Sequence, residues 1–242
     1  MIPLRDTIRS RSFPLINFFI IILNAMVFFY ELSLSPQALD RFVFTFGMVA
    51  DRLNLTDPVA LALNPAPLIT LFSHMFMHGG WFHFISNMWI LFIFGDNVED
   101  RMGAGRYFVF YILCGLASGL LQAFVAPSSR VPAIGASGAI AGVLGAYFIL
   151  YPAGRVLTLI LIFIIPWFVE IPAIVFLGFW FVSQLFSGLA ALNVPNAANM
   201  GGVAWWAHIG GFIFGILSHR FFIRHVHPSY FRDYPRFPND TI

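Results

Sequence analysis

Ser137 and His208 are the side chains in this sequence best suited to nucleophilic chemistry, and each lies in a run of small apolar residues. Ser137 sits in Pro132-Ala-Ile-Gly135-Ala136-Ser137-Gly138-Ala-Ile-Ala141-Gly142-Val-Leu-Gly145, whose glycines recur three and four residues apart. That spacing predicts a helix with one face of small residues. In lipid such a face lets a second helix approach to backbone contact. The second helix is predicted in Ala204-Trp205-Trp206-Ala207-His208-Ile209-Gly210-Gly211-Phe212-Ile213-Phe214-Gly215, where His208, Gly211 and Gly215 share a face. A histidine on a close-packing membrane face needs a polar partner, and the serine is available. A serine with an adjacent base is the arrangement of covalent acyl transfer. Taken alone, Ser137 has a plainer reading as one more small packing residue, its hydroxyl bonded back to its own helix.

The composition fixes the setting of this pair. The 242 residues are 59% hydrophobic and 10% charged, with mean hydropathy +0.82, whereas soluble domains carry about 25% charged residues. A multi-span membrane protein is expected. Aromatic residues reach 18%, mostly the 30 phenylalanines, which suits lipid-facing and interfacial positions. All 13 basic residues are arginines, spread over loops and tails. They report topology and point away from nucleic-acid binding. The single cysteine, Cys114, excludes an internal disulfide and reads as packing.

Along the chain, residues 1–13 carry Arg5, Arg9 and Arg11, and an apolar run follows from about Pro14 to Tyr30. No small-residue cleavage pattern closes it, so a retained anchor with a cytoplasmic amino end is expected in preference to a cleaved leader. Residues 32–67 are too mixed to cross a bilayer and read as a long loop with an amphipathic helix around Pro36 to Val49. A second span is expected to begin near Trp81. The stretch from Asp96 to Arg106 reads as a charged loop, and a third span as Tyr107 to Ala126, with Gln122 an interhelical hydrogen bonder. After the serine helix, residues 155–192 are too long for one span. Either an interfacial or partly re-entrant piece precedes one span from about residue 171, or there are two spans. The positive-inside rule selects one span, which leaves Arg220, Arg224, Arg232 and Arg236 cytoplasmic. His74 and His78 have the spacing of helical metal ligands, but no adjacent glutamate completes a zincin motif, and no metal or other cofactor is expected.

A third motif, His78-Gly79-Gly80-Trp81-Phe82-His83-Phe84-Ile85-Ser86-Asn87-Met88, joins Gly135-Ala136-Ser137-Gly138 and Ala207-His208-Ile209-Gly210-Gly211. In this order the three motifs resemble the rhomboid intramembrane serine proteases, over about residues 14–222. The resemblance implies Ser137 and His208 as catalytic dyad. It implies His83 and Asn87, one turn apart on a helix face, as contributors to the oxyanion hole with the Ser137 N–H. It also implies a structural role for His78, a lid in the loop Asn193 to Gly202, and cleavage after small residues. Two positions depart from the family's pattern. Asn64-Pro65-Ala66-Pro67 stands where many members carry a Trp-Arg pair, and Ala141 stands where an aromatic residue stacks on the histidine.

The expected fold is an all-α membrane protein: a six-transmembrane-helix rhomboid-like bundle with a long, partly membrane-embedded first external loop. Residues 1–13 form a cytoplasmic segment, 14–222 the membrane domain and 223–242 a cytoplasmic tail, in a cell membrane. The expected activity is endoproteolysis of transmembrane segments of other proteins near the external face. Water and substrate would enter a cavity lined by His78, His83 and Asn87, with Gly135, Ala141 and Trp205 also at the access route. Partners are transmembrane protein substrates and the lipid bilayer. The rival reading is an inactive rhomboid-like binder or a small transporter in which Glu170 marks a polar pathway.

Overall fold

The computed structural model describes residues 1–53, 59, 63–194 and 202–224. At its centre stands the serine helix, Ser137–Leu150, apolar around its whole circumference, with every residue from Gly138 to Tyr147 buried. A helix without a polar face has to be enclosed. Its glycine stripe meets the histidine helix, Trp205–Ser218. A methyl group added at Gly211 would collide with the Gly138 carbonyl, and one at Gly215 with the Gly142 carbonyl. The two helices therefore touch backbone to backbone. At 14 residues each, about 21 Å long, both are shorter than a bilayer core of about 30 Å.

Longer helices surround them. In chain order the elements are β1 (Ile2–Asp6), α1 (Leu15–Ser33), α2 (Pro36–Phe46), α3 (Ala50–Leu53), α4 (Ala66–Ser73), α5 (Trp81–Met102), α6 (Ala104–Val125), the serine helix α7, β2 (Arg155–Ile162), β3 (Ile165–Pro172), α8 (Ala173–Leu192) and the histidine helix α9. Among the described residues α1, α6 and α8 are long and apolar enough to cross a membrane. Helix α5 is as long as α6, at 22 residues, but carries Asp96, Glu99, Asp100 and Arg101 in its last turns.

Those acidic residues explain why the stretch expected as a charged loop continues as helix to Met102. The Glu99 carboxylate accepts the first-turn N–H groups of Ile16 (3.0 Å) and Asn17 (2.7 Å), and Asp100 accepts both the N–H (3.0 Å) and the hydroxyl (2.6 Å) of Ser12. The N-terminus of α1 has unpaired donors and a positive dipole end, and the end of α5 supplies carboxylates to both. The connection to α6 shrinks to Gly103, whose φ of +79° suits glycine.

The all-α expectation requires correction, because residues 155–172 form a β-hairpin. β2 pairs antiparallel with β3 from Arg155↔Pro172 to Ile162↔Ile165, and β1 pairs antiparallel with the other edge of β2, giving the order β1-β2-β3. Residues 2–6, expected to lie outside the membrane domain, are thereby built into the fold. Pro166 and Pro172 cannot be placed in a helix interior. In this ladder they fall at alternate positions, whose backbone groups face the free edge of β3, so neither removes a bond to β2. The hairpin turns at Phe163 and Ile164, which are 95% and 91% exposed. An apolar tip of this kind suits hydrocarbon. One helix, α8, follows the hairpin. Glu170, which the rival reading placed on a polar pathway, is half-exposed and lies 3.9 Å from Arg155.

The sheet stands upright beside the helices. The Trp89 indole N–H donates to the Pro3 carbonyl (2.7 Å), and Asp6 accepts from Asn97 (2.8 Å), about 12 Å further along α5 at 1.5 Å per residue. The same Asp6 oxygen accepts the Tyr147 hydroxyl of α7 at 2.6 Å. Burial pushes the Asp6 carboxyl up to about 7, the Asp96 charge adds to this, and the Tyr147 bond opposes it.

Two predictions follow from this packing. Replacing Gly211 by leucine should separate α7 from α9 and lower the thermal midpoint of the purified protein, overpacking costing about 1–3 kcal/mol or more. Because the folded-state pKa of Asp6 lies above the ordinary carboxylate value, the stability from its protonated form is complete below about 3.8 and lost as pH rises through about 7. Amide exchange in β1 and β2, corrected for intrinsic rate, should therefore quicken over that range in the wild type. In Asp6→Asn the same range should leave it flat.

Candidate active site

Glycine packing brings the start of α7 against the first turns of α9, and the Ser137 Oγ lies 2.8 Å from His208 Nε2. Ser137 is the first residue of α7, so its N–H belongs to the first-turn donors that a helix leaves without an internal partner. The segment leading into it is clamped from two sides. Ala133 exchanges backbone hydrogen bonds with Met48 of the first loop (2.8 and 3.0 Å), and the Gly135 N–H donates to the His74 carbonyl at 2.9 Å. The long first loop thus fixes the approach to the serine.

His83 lies in the first turn of α5. The Gly79 N–H points at His83 Nδ1 (3.3 Å), so in the neutral ring Nδ1 is the acceptor and Nε2 carries the hydrogen. That Nε2 faces Gly135: a methyl group built there would stand 2.7 Å from it and 3.6 Å from Ser137 Oγ. The φ of +134° at Gly135 is a second reason for glycine. Asn87, one turn on, donates from Nδ2 to the His83 carbonyl at 2.9 Å, which leaves the second amide hydrogen free to point elsewhere.

A cavity of about 660 Å³ joins these groups, with Ser137, His208, His83, Asn87 and Ala141 in its wall. Gln122 also lines it, and its Oε1 accepts the Ala207 N–H of α9 at 3.2 Å. The lining also includes the apolar Phe94, Leu144, Phe176 and Leu177, together with Met1 and Pro3 of the β1 region. His78, expected in the wall, lies behind it instead. It is buried between Phe28 and Phe84, and its N–H donates to Glu31 Oε2 of α1 at 3.1 Å. Apolar partners and a backbone bond make it a support for the Gly79-Gly80 turn. Gly135 and Trp205 border the dyad without lining the cavity. Residues 195–201 of the expected lid and the tail from residue 225 lie outside the described residues.

Two groups at the site escaped the sequence reading. With Ala141 in α7, the aromatic neighbours of the His208 ring come from Trp180 of α8, 5.9 Å away and tilted by 34°, and Trp205 of its own helix, edge-on at 6.3 Å. Gln184 of α8 places Oε1 2.8 Å from His208 Nδ1. A polar amide in an otherwise apolar span was the available signal.

The family model of the Rhomboid domain matches residues 65–225, about two thirds of the chain, and the chain belongs to the rhomboid family. It is 30% identical over 154 residues to "Rhomboid protein 1, mitochondrial" of Saccharomyces cerevisiae, covering 62% of this chain and 40% of that one. It is 28% identical over 173 residues to the human "Presenilin-associated rhomboid-like protein, mitochondrial", covering 68% and 40%. "RHOMBOID-like protein 5" of Arabidopsis thaliana is 34% identical over 76 residues, 31% of this chain and 25% of that one. The matched region spans about 40% of the yeast and human relatives.

Gly135→Ala tests the space between His83 and Ser137. Its methyl group would occupy the point where His83 Nε2 and Ser137 Oγ converge. Labelling of Ser137 by a fluorophosphonate should slow by on the order of 10²-fold, the effect of losing one oxyanion donor, while the helical circular dichroism is retained.

Proposed function

We propose that this protein is an intramembrane serine endopeptidase that cuts transmembrane segments of other membrane proteins through a Ser137–His208 dyad. The observation that carries the reading is the 2.8 Å contact between Ser137 Oγ and His208 Nε2 in the wall of a cavity. Ser137 Oγ attacks the scissile carbonyl carbon as its proton passes to His208 Nε2. The oxyanion is met by the Ser137 N–H, the His83 Nε2–H and an Asn87 amide hydrogen. His208 then returns the proton to the leaving amine as the C–N bond breaks. Water, deprotonated by the same nitrogen, releases the acyl group and restores the serine.

The mixed lining of the cavity suits a substrate that is part helix and part unwound. Ser137, His208, His83 and Asn87 can receive the exposed peptide bond, and apolar residues such as Phe94, Leu144, Phe176 and Leu177 the rest of the segment. Unwinding exposes backbone groups that lipid cannot satisfy, so substrates with Gly or Pro near the outer end of the span are favoured. The resemblance to the family implies cleavage after small residues, with Gly135, Ala141 and Trp205 bordering the approach. Six helices, α1 and α5 to α9, serve as the spans, the short α7 and α9 being enclosed by the others. The arginine-bearing connections, with Arg101, Arg106, Arg155, Arg220 and Arg224, lie on the side opposite the dyad.

The test is cleavage, by purified protein in liposomes, of a reporter bearing one transmembrane segment. Wild type should cut, and Ser137→Ala and His208→Ala should each lose at least about 10³-fold in kcat/KM, the scale on which dyad groups act. Undiminished cutting by Ser137→Ala, or none by folded wild type, overturns the proposal.

A further inference from the structure

We infer that Gln184 is a positioning residue that fixes the tautomer and orientation of His208; the inference rests on the proposed Ser137–His208 dyad. A histidine that takes a proton from serine must present an unprotonated nitrogen to it. The neutral ring has one such nitrogen, and its other nitrogen must carry the hydrogen. In a two-residue dyad nothing but the surroundings of that second nitrogen decides which is which.

The surroundings of Gln184 make that decision. Its Nε2 lies 3.3 Å from the Trp180 carbonyl and 3.0 Å from the Ser183 hydroxyl oxygen. The Ser183 hydroxyl spends its own hydrogen on the Trp180 carbonyl at 2.6 Å, so toward Gln184 it can only accept. Both groups thus demand hydrogens from the amide. The reverse amide orientation would set oxygen against two acceptors. With Nε2 committed, Oε1 is the atom left facing His208 Nδ1 at 2.8 Å. An amide oxygen cannot donate, so Nδ1 carries the hydrogen and Nε2 keeps its lone pair for the Ser137 hydroxyl at 2.8 Å. The chain Trp180 carbonyl, Gln184 amide, His208 ring, Ser137 hydroxyl has one consistent direction of donation. Gln184 is 6% exposed, which keeps water from competing for either end.

The same chain accounts for Ala141. No side chain of α7 lies over the imidazole, and α8 supplies both the tilted Trp180 ring and the amide that holds the ring edge. Orientation of the base passes from the serine helix to its neighbour α8. Ser137 itself is untouched by Gln184, so the residue acts only through His208.

The experiment compares wild type with Gln184→Met, Gln184→Asn, Gln184→Glu, Ser137→Ala and His208→Ala in liposomes, using the single-span reporter. Labelling rate with a fluorophosphonate and thermal midpoint are measured on the same preparations. Methionine keeps the volume and removes the acceptor. Asparagine keeps the amide and draws it back by one carbon, and it carries the test where the methionine variant does not fold. Both should lower kcat and the labelling rate together by about 10-fold or more, a part of the 10²–10⁴ that a positioned base contributes, with KM unchanged. Glutamate, which retains an acceptor oxygen at the same reach, should restore most of the lost turnover. A folded Gln184→Met or Gln184→Asn with wild-type kcat, a change confined to KM, or a folded glutamate variant as slow as methionine overturns the inference. If Ser137→Ala also cuts, the dyad reading itself falls. If Ser137→Ala is silent while Gln184→Met turns over normally, only the role of Gln184 falls.

Discussion

Backbone contact between α7 and α9 is the constraint on which the rest of the structure depends. Gly211 packs on the Gly138 carbonyl and Gly215 on the Gly142 carbonyl, so the helix axes are as close as main chains allow. Ser137 and His208 are immediate neighbours of this seam, and their 2.8 Å separation follows from it. Lipid gives apolar helices no hydrophobic reason to associate, and close van der Waals contact takes its place. One stripe of glycines thus serves stability and brings Ser137 and His208 together. Cys114 and Ser118 of α6, which fill the space beside Gly142 and Gly138, show that a third helix is keyed to the same stripe.

Around this seam the polar groups fall into two levels. Near the start of α7, His83, Asn87, Gln122, Gln184 and the dyad share hydrogen bonds with backbone and with one another. Near its end, Asp6, Asn97, Tyr147 and Tyr151 tie the sheet to α5 and α7. A buried polar group without a partner is costly, and gathering these side chains at two levels lets each of them make at least one hydrogen bond.

Much of this was legible from residue spacing. The glycine periodicity located α7, α9 and their contact, and the three histidine- and serine-bearing motifs located the site. Charge was a weaker guide. Glu99 and Asp100 look like loop residues until their partners, the first-turn amides of α1 and the preceding Ser12, are known. The hairpin was illegible for a different reason: Val156 to Ile171 is apolar nearly throughout, so it lacks the alternation that separates strand from helix. Only Pro166 and Pro172 hinted that a helix could not form there. His78 misled because a histidine beside Gly79-Gly80 reads as polar lining, whereas Phe28 and Phe84 enclose it. Gln184 lies 24 residues from His208 in sequence, and nothing in that spacing joins them.

The pairing of β1 with β2 has a consequence for the order in which the molecule is assembled. Ile2 pairs with Leu159, so this strand waits for a partner made much later, and its ladder groups stay open until the hairpin emerges. His208 is translated later still. Long-range strand closure is slow relative to local helix formation, which makes the docking of β1 a late event. Met1 and Pro3, which line the cavity, therefore reach its wall only once the hairpin is in place. A nascent chain halted before residue 155 holds Ser137, His83 and Asn87 but neither Gln184 nor His208. The contact between Ser137 and His208 is thus deferred to a late stage of synthesis by topology alone.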